Sequence, residues 1–259
     1  MITQGKTMDV ITVTKDDETN LEITYNSISV ISQKMAIPFT WIIIDSGEKF
    51  QKSSLFQSIS SDPDVIFRYF YKPTFGIYQA MNFGLSQTSS DYFILINSGD
   101  ILLENVRDYI PSLANNRVSC FQSEWHNEKL KPLDYRNNYK IFPKLGRMPN
   151  HQAMIFPKLF KNFLYNERFK IAADQDLKIR LAKEDNLILR HEVIVSSLFG
   201  GISTRQMTRT EALNRSIETF LIFKNNYNFV WAICISLVYS LRFVSRTVIQ
   251  RKSLLRKMI

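Results

Sequence analysis

Two cysteines, Cys120 and Cys234, are too few and too far apart for a disulfide framework, and they lack metal-ligand spacing. The chain therefore suits a reducing cytoplasm. The opening "MITQGKTMDV" lacks an apolar h-region, so no secretory signal is read there. No uncharged apolar run of about 18 residues occurs before the last few dozen positions, which excludes an ordinary spanning helix from most of the chain. Internal repeats and low-complexity tracts are also lacking.

What is present is apolar mass and an uneven charge. Hydrophobic residues are 45% of the chain, enough to bury a full core and to exclude a disordered chain. The formal charge is +9, yet from Arg205 onward ten Lys/Arg face only Glu211 and Glu218, so most of the excess lies at one end. This charge step sets the expected boundary: a globular domain over 1–204 and a helical, basic and apolar tail over 205–259.

Hydrophobic periodicity alternates along the first half. "DVITVT" (9–14), "FTWIIID" (39–45), "VIFRYF" (65–70) and "YFILIN" (92–97) read as buried strands. Between them, Leu21, Tyr25, Ile28 and Ile31, and then Ile77, Ala80, Met81, Gly84 and Leu85, fall on single helical faces. Continuous apolar strands separated by helices predict an α/β fold, a mostly parallel central sheet with helices on both faces. Further on, 117–122, 151–156 and 187–195 read as strands and 174–184 as a helix with an Asp176–Arg180 pair one turn apart. Residues 123–150 read as a loop or hairpin covering a site.

Ligands of such sheets bind at the carboxyl ends of the strands, where Thr14 to Asp17, Asp45 and Asn97 to Asp100 are expected. Each acidic residue alone also suits a loop start or helix cap. Gathered on one rim, they point to a binding site.

The runs "ITVTKDD", "SISVISQ", "WIIIDSGE", "GIYQAMNFGLSQTSSDYFILINSGD", "HQAMIFPKLF" and "IAADQDLKIRLA" resemble, in order and spacing, the family-two glycosyltransferases with the GT-A (Rossmann-like) fold. Within that family the likeness is to bacterial members that build capsule, O-antigen and exopolysaccharide chains. It covers residues 8 to about 204, and "GIYQAMN" followed by "INSGD" is its most specific pair. The resemblance implies inverting transfer of a sugar from a nucleotide donor, a UDP-sugar favoured, to a hydroxyl of a saccharide or lipid-linked saccharide, with Mn²⁺ or Mg²⁺. It implies Asp174 as catalytic base and Asp100 as metal ligand. It assigns Thr14, Asp16, Asp45, Gly76, Gln79, Asn82 and Asn97 to the nucleotide sugar. Acceptor candidates are Trp125, an aromatic ring in the loop region, His151 and Gln152, which begin a strand after that loop, and Asp176. Departures are Asn97 in place of the first acidic residue of the usual Asp-x-Asp motif, Thr74 and Gln79 where Asp is common, and Ala173 before the base.

The chemistry needs such residues for its own reasons. A leaving nucleoside diphosphate gathers negative charge that a divalent cation neutralises. Mg²⁺ takes oxygen ligands and uses only one or two protein carboxylates, so one firm Asp suffices. The incoming hydroxyl must lose a proton, and a positioned carboxylate contributes roughly 10²- to 10⁴-fold to that step. Asp174 also has a plain reading, a charge at a helix start.

Residues 229–241, "FVWAICISLVYSL", carry no charge but are too few to cross a bilayer. Arg242, Arg246, Arg251, Lys252, Arg256 and Lys257 follow without any acid. That composition suits a helix lying on an anionic leaflet, hence a peripheral location on the inner face of the cell membrane. The alternative is a core helix with a solvated basic end. A single terminal cluster makes a poor nucleic-acid groove, so no nucleic-acid partner is expected. A non-catalytic nucleotide-binding scaffold of an assembly complex stands as the other functional reading. A nucleotidyltransferase is disfavoured because "TVTKDDETN" has no glycine.

Overall fold

The computed structural model describes residues 6–34, 39–73, 76–125, 143–145, 148–198 and 208–238. One eight-stranded sheet organises them. Its strands are β1 (Met8–Thr14), β2 (Phe39–Asp45), β3 (Phe67–Tyr71), β4 (Tyr92–Asn97), β5 (Ile101–Leu102), β6 (Val118–Trp125), β7 (Met154–Pro157) and β8 (Leu187–Ser197). The helices are α1 (Glu18–Lys34), α2 (Ser54–Ser61), α3 (Ile77–Ser86), α4 (Val106–Tyr109), α5 (Ala173–Lys183) and α6 (Arg209–Asn226), and a further helix runs over 229–238.

The sheet order is β3-β2-β1-β4-β7-β6-β8-β5. The β3-β2-β1-β4 half is parallel, as continuous apolar strands joined by helical crossovers require. Beyond β4 the sheet is mixed: β7 runs antiparallel to both β4 and β6, β6 and β8 are parallel, and β5 closes the edge antiparallel. The expected strand over 151–156 is shorter than its pattern. His151–Ala153 form a 3₁₀ turn and only Met154 onward pairs. β5 carries too few residues to leave a periodic signal.

Two hydrophobic clusters cover the two faces. Val10, Trp41 and Ile43 pack with Leu21 and Ile28 of α1 on one side. Ile11, Ile42 and Ile44 pack with Met81 and Leu85 of α3 and Leu177 of α5 on the other. This is the strand alternation expected of a doubly covered sheet. Ile222 and Phe223 of α6 are wholly buried in the second cluster, together with Ala232 and Ile235 of the following helix. Burying each such side chain contributes about 1.5–3 kcal/mol. That same helix leaves Phe229, Val230 and Leu237 exposed. Among the described residues no helix is long and apolar enough to cross a membrane.

Register aligns the strand ends. Thr14 lies opposite Asp45, and Val13 opposite Asn97, so β1, β2 and β4 finish on one line.

Candidate active site

The turn after β4 is built around a glycine. Gly99 has φ +92°, and a Cβ there would meet Leu198 Cδ2 at 2.7 Å. Thr24 of α1 clamps this turn: its hydroxyl accepts from Gly99 N (2.9 Å) and donates to the Asp100 carbonyl oxygen (2.9 Å). Asp100 is buried, and its carboxylate accepts from Asn97 N (2.9 Å) and Leu198 N (3.0 Å). Burial pushes its carboxyl up to about 6, against the pull of these two amides.

Asp174 sits in the first turn of α5. Lys178, one turn on, donates to its Oδ2 at 2.9 Å. The Tyr78 hydroxyl of α3 donates to the Ile171 carbonyl oxygen (3.0 Å) and to Asp174 Oδ1 (3.2 Å). His151 Nδ1 lies 3.8 Å from Oδ2, beyond hydrogen-bond reach. Burial raises this carboxyl, but the Lys178 ammonium and His151 outweigh it and hold the group well below the usual carboxylate range.

Both carboxylates line one cleft of about 710 Å³. Thr14, Gly76, Asn97, Trp125, His151 and Gln152 line it too. Four of these six carry buried polar atoms with no hydrogen-bond partner among the described residues: Thr14 Oγ1, Asn97 Oδ1, both ring nitrogens of His151, and Gln152 Oε1. Buried polar groups are costly when unpaired, so their convergence marks a cleft shaped for a polar ligand.

Five expected site residues do not line this cleft. Asp45 is fully buried, accepting from Gly47 N (2.8 Å) and the Tyr69 hydroxyl (3.1 Å). Asp16, at φ 50°, accepts from Lys49 N (3.1 Å). It presses on Gly47 so closely that a Cβ there would lie 2.3 Å from Asp16 Oδ1. Its neighbour Asp17 lines the cleft instead. Asn82 spends its amide on Tyr165 and Glu167, fastening that loop to α3. Asp176 is buried between Arg180 (2.9 Å) and Asn226 (3.1 Å). Gln79 flanks two cleft residues, Tyr78 and Ala80, without joining them.

Sequence alone does not single out Lys178, Lys170 or Arg215, and it offers Tyr78 only within Gly76 to Asn82 as donor-pocket lining. Tyr78 lies inside "GIYQAMN" and Lys178 stands at i+4 from Asp174, so both had a signal. Lys170 and Arg215 reach the cleft only through packing. Thr74 lies outside the described residues.

The rim suits a hard cation. Asp100 and the unpartnered Asn97 Oδ1 are oxygen donors. Among the described residues no three His, Cys, Asp or Glu converge as a metal cage. This donor set fits Mg²⁺ or Mn²⁺ held by one or two protein oxygens better than a zinc site.

The same architecture occurs in solved glycosyltransferases. TarS of S. aureus, residues 1–349 in complex with UDP-GlcNAc, superposes with a TM-score of 0.65 at 14% identity, covering 92% of this chain and 73% of that one. The mannosyltransferase PcManGT of Pyrobaculum calidifontis, in complex with GDP-Man and Mn²⁺, gives 0.61 at 10% identity, covering 98% and 81%. The fold is GT-A. By sequence, the GT-A chain is 24% identical over 194 residues to an uncharacterized glycosyltransferase of Rickettsia typhi. That match takes in 68% of this chain and 58% of that relative. No family model matches the chain.

Proposed function

We propose that the chain is an inverting glycosyltransferase that moves a sugar from a nucleotide-diphosphate donor, a UDP-sugar first, to a hydroxyl of a saccharide acceptor. The observation that carries this reading is the single cleft that unites Asp100, Asp174 and four residues with unpartnered buried polar atoms. Complexes of the neighbouring folds with UDP-GlcNAc and with GDP-Man and Mn²⁺ support the donor class.

Asp100 and Asn97 would hold the divalent cation. When bound, that cation neutralises charge developing on the leaving diphosphate. Thr14 and Asp17 would meet the nucleotide. Lys170 and Arg215 line the same cleft and bring positive charge to it. Asp174, kept ionised by Lys178, accepts the proton of the attacking hydroxyl at Oδ1 or Oδ2. Tyr78 and Lys178 fix the orientation of that carboxylate. Trp125 offers an aromatic face to a sugar.

A lipid-linked acceptor of surface polysaccharide synthesis, used at the inner face of the membrane, is the finer form of this proposal. Its support is the exposed Phe229, Val230 and Leu237 next to a run of cations in the sequence. The expected division into a 1–204 catalytic domain and a 205–259 tail belongs to the same proposal. A non-catalytic nucleotide-binding scaffold is the second reading, favoured by the tight neutralisation of Asp174 by Lys178.

One screen separates the two readings. Nucleotide sugars are tested by thermal shift with and without Mn²⁺, then by release of nucleoside diphosphate. A ligand at 100 times its dissociation constant stabilises by about 2.7 kcal/mol. Binding with turnover supports the transferase, binding without turnover the scaffold, and no nucleotide-dependent shift defeats both.

A further inference from the structure

Helix α6, which brings Arg215 to the cleft, also grips the chain leading into α5 through one buried side chain. Glu218 accepts three consecutive backbone amides: Lys170 N at 2.7 Å, Ile171 N at 2.9 Å and Ala172 N at 2.8 Å. These residues lead directly into α5, whose first turn carries Asp174. Ile171 is held from both sides, its N–H by Glu218 and its carbonyl oxygen by Tyr78, which also donates to Asp174. Farther along, Asn226 of α6 donates to Asp176 at 3.1 Å, and Lys183 of α5 donates to the Asn226 carbonyl oxygen at 2.6 Å.

A carboxylate accepting several amides forms charge-assisted bonds with defined directions, unlike apolar packing, which tolerates sliding. The α5 N-cap residue, Ala172, has no side-chain oxygen to anchor the start of the helix, and its own N–H is one of the three that Glu218 holds, from 46 residues away. We propose that Glu218 is a positioning residue: it sets the entry of α5 and thereby aims Asp174 at the reacting hydroxyl. This rests on the reading of Asp174 as the base. It makes α6 part of the catalytic unit.

The test uses the full chain with Glu218→Gln, whose amide nitrogen cannot accept from these N–H groups. Thr208→Ala serves as the control. It removes the capping box of α6, in which Thr208 Oγ1 accepts from Glu211 N, without touching residues 170–174. Misplacing a reacting group by about 1 Å costs roughly 10²-fold in rate. Glu218→Gln is therefore expected to lower kcat by about that factor. Its donor KM and UDP affinity should stay within about two-fold, as expected when an interaction acts only in the transition state. Amide hydrogen exchange at 170–172 should quicken. Thr208→Ala should keep wild-type kcat below its melting temperature.

An unchanged kcat in Glu218→Gln would overturn the proposal. So would a parallel loss of UDP affinity, kcat and melting temperature in both variants, which is the signature of general destabilisation. Should Glu218→Gln not fold, Glu218→Asp, a carboxylate one methylene shorter, takes its place with the same readouts. If wild type turns over no nucleotide sugar, the transferase reading fails by itself. The exchange measurement then still judges the clamp, and unaltered exchange at 170–172 sinks it.

Discussion

Lys178 Nζ lies 2.9 Å from Asp174 Oδ2, one helical turn along α5, and both side chains are largely shielded from water. The pair keeps the carboxylate ionised but makes it a weaker base. Removing the ammonium as Lys178→Met takes away the largest opposition to burial, so the Asp174 carboxyl should rise. In wild type the acid limb of kcat is expected well below the usual carboxylate range. In Lys178→Met it should move to higher pH, read from a pH–rate profile. An acid limb that stays in place would remove Asp174 from the proton transfer.

Asp174→Asn takes away the proton acceptor and retains the shape. Transfer should fall roughly 10²- to 10⁴-fold while UDP affinity stays within a few fold. Full activity in a coupled assay for released UDP would end the assignment.

Asp100 has an opposite pH signature. Its folded value, about 6, lies above the ordinary 3.8, so the folded chain holds that proton more tightly than the unfolded one. This contribution is complete below the unfolded value and is lost as pH rises through about 6, an effect on the order of 3 kcal/mol. Thermal melts of the ligand-free protein between about pH 4 and 7 should show a steeper decline in wild type than in Asp100→Asn. Cation binding needs the ionised form, so stabilisation by Mn²⁺ with UDP should grow over the same interval. Equal slopes in the two proteins would refute the assignment.

Gly99→Ala forces a side chain into the left-handed turn and toward Leu198. A loss of about 1–3 kcal/mol is expected in urea denaturation. Less than about 0.5 kcal/mol, the scatter of ordinary surface changes, would mean that the turn relaxes freely.

Much of the site's frame was legible because it depends on local periodicity. The β1, β2 and β4 runs end within a residue of their sequence limits, and "INSGD" lands on the cleft rim. Asp176 and Arg180 pair as their spacing requires. Asp45, Asn82 and Asp176 look the same in sequence as residues that face the cleft, yet their polar atoms are spent on Tyr69, on residues 165 to 167, and on Arg180 and Asn226. Nothing local distinguishes a carboxylate aimed at a ligand from one satisfied by a distant partner.

By itself, the amino-acid sequence determined the strands β1, β2 and β4 and the helices α1 and α3 between them, that the sheet is covered on both faces, and that a polar rim closes the ends of β1 and β4. Those properties follow from residue periodicity and from where apolar runs stop. Only the tertiary structure decided that β7 enters antiparallel, that Asp17 replaces Asp16 at the cleft, and that Glu218 holds the entrance of α5. Each depends on groups tens of residues apart meeting at hydrogen-bond distance, a matter of packing that no local pattern encodes.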